Sequence, residues 1–192
     1  VYIFEKVGDL WTQNTKLIPN SPEANGTFGS SVYLNENNII AGAPGKYPNS
    51  SVFGSAYVFE KENDNWIQKA KLTPSIRNLG YLFGFSVAIS GNYIIVGEPT
   101  SGKGIPGHAY FYKKPATGWE NATETLKLSS NNPISNDQFG NAVAFSGQFM
   151  LIGADKDDFG GITDCGSLSI FEISEPTLSI TPSNQGVWPG EE

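Results

Sequence analysis

The chain has 192 residues, 39% hydrophobic and 12% aromatic, which is enough apolar material for a core and argues against disorder. A net charge of −7 argues against a nucleic-acid or anionic-membrane partner, since both require a basic face, and the longest apolar runs are far shorter than a membrane span. The single cysteine, Cys165, excludes an internal disulfide, while 22 Gly and 12 Pro without a collagen period suit many short strands and tight turns.

Taken from its start, the chain opens on an apolar strand, Val1-Tyr2-Ile3-Phe4, with Trp11 and Leu17 following. A longer unit then recurs three times. Phe28-Gly29, Phe83-Gly84 and Phe139-Gly140 open the units, 55 and 56 residues apart. The triplets Gly42-Ala43-Pro44, Gly97-Glu98-Pro99 and Gly153-Ala154-Asp155 follow at the same period, and apolar segments then end in Phe59, Phe111 and Phe171. Self-similarity at such a period marks an array of like units, each too small to bury a core alone.

Each unit reads as four short strands. In the second, Phe83 to Ile89 alternates, with Phe83, Phe85, Val87 and Ile89 on one face. Ser90-Gly91-Asn92 is a hairpin turn. Tyr93 to Val96 is the second strand, which Pro99 stops. His108 to Tyr112 is the third, and the fourth lies near Trp119 to Leu128. The first unit gives 28–34, 38–41, 55–59 and 66–72; the third gives 139–145, 149–152 and 167–173. The spacings from Phe4 to Trp11 and from Phe59 to Trp66 are seven, and from Phe111 to Trp119 eight, which implies one inserted residue. Ser179 to Pro182 resembles Lys71 to Pro74, so it is either a shortened fourth strand or part of a linker.

The expected fold is therefore all-β, an arc of about three and a half four-stranded antiparallel propeller blades. The boundaries are 1–18 for the second half of a blade, 28–73, 83–128 and 139–182 for blades, and 183–192 for a tail or linker. Closed rings take about four to eight blades, so the arc is expected to belong to a larger ring or to close by pairing with another copy. Open blade edges predict self-association.

The pattern Phe-Gly-x-Ser-Val-Ala, a hairpin, Ile-Ile-x-Gly-x-Pro, then Gly-x-Ala-Tyr-Val-Phe and Trp resembles the FG-GAP repeat, which builds the propeller heads of integrin α-subunits and many bacterial surface proteins. The resemblance implies an extracellular or cell-surface binding and adhesion module with a protein or glycan ligand, and it implies no reaction. Many integrin-type repeats carry an Asp-rich calcium loop between the first two strands. Here those turns are Asn35 to Asn38, Ser90 to Asn92 and Ser146 to Gln148, too short and too poor in carboxylates to give calcium its six to eight oxygens. No cofactor is expected, and calcium is not favoured.

Several residues stand out as candidates. Asp155, Asp157, Asp158 and Asp164 bracket Gly160-Gly161 and could converge on a metal, although a solvated acidic loop is the simpler reading. His108, the only histidine, has no second His or Cys nearby, and Cys165 fits a small packing residue. Trp11, Trp66 and Trp119 recur in register and so read as packing between blades. Asn25, Asn49 and Asn121 begin glycosylation sequons. In a four-stranded meander the 2–3 and 4–1 loops share one face, and they are the long and variable ones. Tyr47, Arg77 and Tyr81 are the anchors expected on that face, since aromatic and Arg side chains carry most interface energy. A hydrolase or lyase with carboxylates contributed by separate blades is the alternative, and a structural spacer in a large surface protein is the third reading.

Overall fold

The computed structural model describes residues 1–45, 53–77, 81–100, 104–158 and 160–174, and the backbone of 179–186. Every regular element among them is a β-strand. A half-blade pairs β1 (Tyr2–Val7) with β2 (Leu10–Lys16). Blade one contains β3 (Ser31–Asn35), β4 (Asn38–Ala43), β5 (Ser55–Glu62) and β6 (Asn65–Leu72). Blade two contains β7 (Ser86–Ser90), β8 (Tyr93–Glu98), β9 (His108–Lys113) and β10 (Leu126–Leu128). Blade three contains β11 (Ala142–Ser146), β12 (Phe149–Ala154), β13 (Ser167–Ser174) and β14 (Ser179–Gly186). Each sheet is an antiparallel meander in chain order.

The turns explain why neighbouring strands pair. Asn63 and Asp64, both at positive φ, join β5 to β6 as a two-residue hairpin of the type whose twist matches the strands. One bulge recurs at the same place in three sheets, between Ile3 and Phe4, between Val58 and Phe59, and between Ile170 and Phe171. The third strands are therefore equivalent residue by residue.

No blade has a core of its own. One buried cluster joins Ile40, Ala56 and Val58 of blade one to Phe83, Val87, Ile94, Tyr110 and Tyr112 of blade two. A second joins Ala88, Ile95, Ala109 and Phe111 to Phe139, Met150, Ile152 and Phe171 of blade three. A third joins Val1, Ile3 and Leu17 of the half-blade to Ile39, Tyr57 and Phe59. Hydrophobic burial, at about 25 cal/mol per Å², thus acts mainly between units.

The Phe-Gly and Gly-x-Pro phrases meet at these junctions. A Cβ on Gly42 would overlap the Gly84 carbonyl of the next blade, and one on Gly54 would overlap the Phe83 carbonyl. Gly97 and Gly107 meet Gly140 and Phe139 in the same way. The incoming carbonyl is then bound: Ser31 Oγ donates to Gly84 O at 2.9 Å and Ser86 Oγ to Gly140 O at 2.8 Å. An ion pair also recurs across two junctions, Lys61 to Glu5 at 3.7 Å and Lys114 to Glu60 at 3.1 Å. At the third junction the lysine position is Ile173, which is buried.

Some expectations need correction. The first strands begin at Ser31, Ser86 and Ala142, not at the phenylalanines. Gly84 has φ +92, which breaks the alternation, so Phe83 is 1% exposed and Phe85 41%. Pairing aligns Tyr112, not Phe111, with Phe59, because Ile94 opposes Tyr112 as Ile39 opposes Phe59. Tyr112 and Trp119 are seven apart, as Phe59 and Trp66 are, so nothing is inserted before the tryptophan. The extra length follows it. Leu126 takes the place of Ala70, four residues after Trp66 but seven after Trp119. Blade two's fourth strand is accordingly only Leu126–Leu128, and Trp119 lies outside it. In blade three, Pro182 opposes Phe171 and Gly186 opposes Leu168, so the strand runs past 182 in a register different from that of Lys71 to Pro74. The tryptophans also diverge: Trp119 is buried, Trp66 half-buried, and Trp11 is 68% exposed.

Each junction serine makes one partly buried hydrogen bond, so Ser31→Ala and Ser86→Ala should each cost about 1 kcal/mol. Ala142→Ser, at the equivalent place in blade three, should leave stability within about 0.5 kcal/mol. Urea unfolding of the three variants checks this.

Candidate functional site: the loop face of blades one and two

Most of the long connections start from one end of the sheets; the exception is the third-to-fourth-strand connection of blade two, 114–125, which leaves from the other end. Those sharing one end are the second-to-third-strand loops (44–54, 99–107, 155–166) and the fourth-to-first-strand loops (17–30, 73–85, 129–141). The other end carries the two-residue turns at 36–37, 91–92 and 147–148.

Blade two departs from the repeat on this face. Glu98 stands where the other blades have Ala43 and Ala154, and His108 stands where they have Ser55 and Ser167. The two are direct partners across β8 and β9, so both side chains lie on the sheet face turned toward blade one. Glu98 is 2% exposed and accepts a 2.6 Å hydrogen bond from the Tyr110 hydroxyl. His108 stacks nearly parallel on Tyr81, with centroids 6.4 Å apart, and its Nδ1 lies 3.0 Å from Ser129 Oγ. Tyr112 donates to the Thr73 carbonyl of blade one at 3.0 Å. Tyr81 bridges to Thr100, whose Oγ1 donates to Ile105 O at 2.7 Å, so the two loops of this blade are tied together.

Burial sets the titration of this cluster. It pushes the Glu98 carboxyl up to about 7 against the Tyr110 bond and the Lys127 charge, with Glu124 adding to the rise. It pushes the His108 imidazole down to about 4, with Lys127 adding to the fall. Burial and the Glu98 carboxyl hold Tyr110 above the usual phenol range. Both Glu98 and His108 are therefore uncharged in mildly acidic solution.

The second feature is a cleft of about 350 Å³ at the outer junction of blades one and two, lined by Lys71, Thr73, Arg77, Asn121, Ala122 and Thr123. The residues inserted after Trp119 build one wall. Ala122 bridges in parallel to Leu72, its carbonyl accepts Thr73 N at 3.2 Å, and Asn121 Oδ1 accepts Lys71 N at 2.7 Å. Lys71 Nζ is paired with Glu23 and lies 5.7 Å from the Tyr57 ring centre. Glu124 is engaged by Ser75 through N at 2.8 Å and Oγ at 2.6 Å. Among the described residues Arg77 has neither an ion pair nor a hydrogen bond, and its side chain is exposed.

Of the three residues expected on this face, Arg77 thus lies in the cleft and Tyr81 on His108, while Tyr47 lies outside the described residues. The sequence reading does not single out Glu98 or Tyr110. The signal for Glu98 in the sequence is a Glu at a repeat position that is otherwise Ala. The acidic loop of blade three engages its own neighbourhood: Asn141 Nδ2 donates to Asp155 Oδ1 at 3.0 Å, Asp164 N donates to Asp158 Oδ1 at 2.7 Å, and Cys165 Sγ donates to Asp157 O at 3.4 Å. Among the described residues no three His, Cys, Asp or Glu side chains converge in a way that could hold a metal.

Buried Glu98 and half-buried His108 make opposite contributions to stability. For Glu98, raised from 4.5 to about 7, stability present below pH 4.5 is lost as pH rises to 7, to the extent of about 3 kcal/mol. For His108, lowered from 6.5 to about 4, stability present above pH 6.5 is lost as pH falls toward 4. The two slopes oppose each other between pH 4.5 and 6.5. Glu98→Gln should expose a melting temperature that rises with pH in that window, and His108→Ser one that falls. Calorimetry across the window checks both signs.

A family model of the FG-GAP repeat matches residues 11–59, 66–112 and 122–171. The first two windows open on Trp11 and Trp66, and the three close on Phe59, Tyr112 and Phe171, the residues that pairing makes equivalent. Each match therefore straddles two blades, running from a fourth strand through the third strand of the next unit. No curated protein matches the chain. With three matches in tandem over most of its length, and with the Phe-Gly of the second and third units seated on the glycines of the one before, the chain belongs to the FG-GAP repeat family.

Proposed function

We propose that this chain is a noncatalytic binding module of an extracellular or cell-surface protein, presenting its loop face to a protein or glycan ligand that carries an acidic group. The observation behind the reading is the cleft at the junction of blades one and two. It offers a guanidinium without a partner among the described residues, two threonine hydroxyls and an amide on a rigid β-scaffold. A guanidinium presents a planar fork of donors that matches a carboxylate or sulfate, and hydroxyls and amides suit the neighbouring groups of a sugar. The meeting of two long connections at this cleft, 73–85 and 114–125, supports it, since binding residues concentrate on loops held by a rigid frame. Family membership supports the extracellular setting.

A propeller hydrolase or lyase would draw on a carboxyl whose pKa is raised toward neutrality, and Glu98 has one. Its burial and its Tyr110 partner favour a structural role, because a general acid must reach substrate. Nucleic acid and membrane insertion remain disfavoured by the acidic composition.

A glycan array containing uronate, sialylated, sulfated and neutral members tests the proposal. Arg77→Ala should reduce the signal on acidic members about tenfold or more. Asn92→Ala, exposed on the opposite end of the same junction, should leave it unchanged. Equal binding by both variants at unchanged melting temperature would remove the cleft as the site.

A further inference from the structure

The polar groups at the cleft between blades one and two divide into those already engaged and those left over. The connection 114–125 crosses the junction and is tied to blade one along its length. Lys114 pairs with Glu60, Asn121 Oδ1 accepts Lys71 N, the Ala122 carbonyl accepts Thr73 N, and Glu124 accepts Ser75 N and Oγ. The Thr73 carbonyl accepts the Tyr112 hydroxyl, and Lys71 Nζ is paired with Glu23. Left without a partner among the described residues are the Arg77 guanidinium, the Asn121 side-chain N–H groups and the hydroxyls of Thr73 and Thr123. Thr73 is only 8% exposed, and both its main-chain groups are bonded, so its hydroxyl is the one polar group of a nearly buried residue that still lacks a partner there. Such a group costs free energy that a ligand hydroxyl can return.

Three kinds of acidic ligand compete for such a cleft. A peptide segment binds by strand addition or by side chains anchored in apolar pockets. Strand addition is blocked here, because Lys71 N on the outer edge of β6 and Thr73 N just beyond it are already taken. An apolar anchor finds little purchase, since Ala122 is the one apolar residue of the lining. A polysulfated chain requires several free cations. Lys71 is held by Glu23, and the carboxylates of Glu23 and Glu124 repel a dense polyanion. A sugar carboxylate requires one cation and a few groups that hydrogen-bond hydroxyls, and the cleft of about 350 Å³ offers that set.

Resting on the acidic-ligand reading above, we propose that the cleft binds a sugar carboxylate, the uronate or sialate unit of a glycan, with Arg77 on the carboxylate and Thr73, Asn121 and Thr123 on the neighbouring hydroxyls. The guanidinium gives two parallel N–H donors to the two carboxylate oxygens. The hydroxyls and the amide then read ring hydroxyls, which an Asp or Glu side chain does not carry. Thr73 sets the selectivity. A site built to hydrogen-bond a hydroxyl discriminates against a ligand without one, because its own group is then left unmatched. One sugar unit would touch both sides of the junction, Arg77 in the connection 73–85 and Asn121 and Thr123 in the connection 114–125.

The test is an NMR titration of the isotope-labelled 192-residue chain with glucuronate, methyl glucuronate, N-acetylneuraminate, a polysulfated dextran and a blocked Gly-Asp-Gly tripeptide. Glucuronate or N-acetylneuraminate should shift the signals of Thr73, Arg77 and Asn121 with a dissociation constant in the millimolar range, and the tighter of the two identifies the source. The methyl ester keeps the ring hydroxyls and loses the charge, so it should bind about tenfold or more weakly, as the acid should to Arg77→Ala. Thr73→Val keeps the shape and loses the hydroxyl. It should weaken the sugar acid about fivefold at unchanged melting temperature. Equal binding of the sugar acid to the parent chain and to Thr73→Val would overturn the proposal, since the cleft would then capture charge alone. Binding of the tripeptide or the dextran through Arg77, with neither sugar acid bound, would overturn it and leave the broader acidic-ligand reading standing. No response to any acidic probe at about 50 mM would sink both.

Discussion

The structure depends on the seating of one backbone on another where no side chain intervenes. The Phe-Gly carbonyls of blades two and three enter the space above a glycine in the second strand, and another before the third strand, of the blade behind. Van der Waals attraction and hydrogen bonding fall off steeply with separation, so sheets that approach this closely gain contacts that side-chain packing alone would not provide. Because the apolar clusters span junctions, the same seating brings Phe83 and Phe139 into place over them. The family's two defining phrases are thus the two halves of a joint, which explains their equal spacing along the chain.

A joint made of glycine and backbone constrains few side chains at the loop end of the sheets. Blade two uses that freedom. Glu98 and His108 replace small residues, and the space above them is filled by Tyr110 and Tyr81. The cost of burying a carboxyl is lowered by keeping its proton, and that of burying an imidazole by leaving it neutral. Their opposed titrations leave a junction little changed across mild acid. The residues inserted after Trp119 act nearby, extending the edge of blade one and walling the cleft that holds Arg77.

Much of this was legible in the sequence because repetition averages out local ambiguity. Three aligned copies revealed the strands, the meander and the face on which the loops collect. What periodicity could not reveal were departures from it. Alternation alone placed Phe83 and Phe85 on one face, since nothing in a period of two signals the reversal that Gly84 makes. Identity matches Phe111 to Phe59, whereas pairing selects Tyr112, because a phenol fills the same buried place. Arg77 and Tyr81 were placed on the loop face by counting strands, but their separate surroundings, a cleft and a stacked imidazole, depend on contacts between residues far apart in the chain.

The joint itself is open to a direct comparison within one molecule. Gly42 and Gly97 each face an incoming carbonyl, whereas Gly153, at the same repeat position, has only its own blade's Ala142 Cβ at 3.5 Å as nearest neighbour. The most direct measurement is the unfolding free energy of Gly42→Ala, Gly97→Ala and Gly153→Ala in urea. Backbone seating predicts losses of about 3 kcal/mol at the first two, where strands must separate to admit a methyl group. At Gly153 the change should lie within about 1 kcal/mol of zero and could be a gain, since alanine orders a strand better than glycine. Equal losses at all three positions would contradict the account and show that the glycines serve the strands rather than the joints.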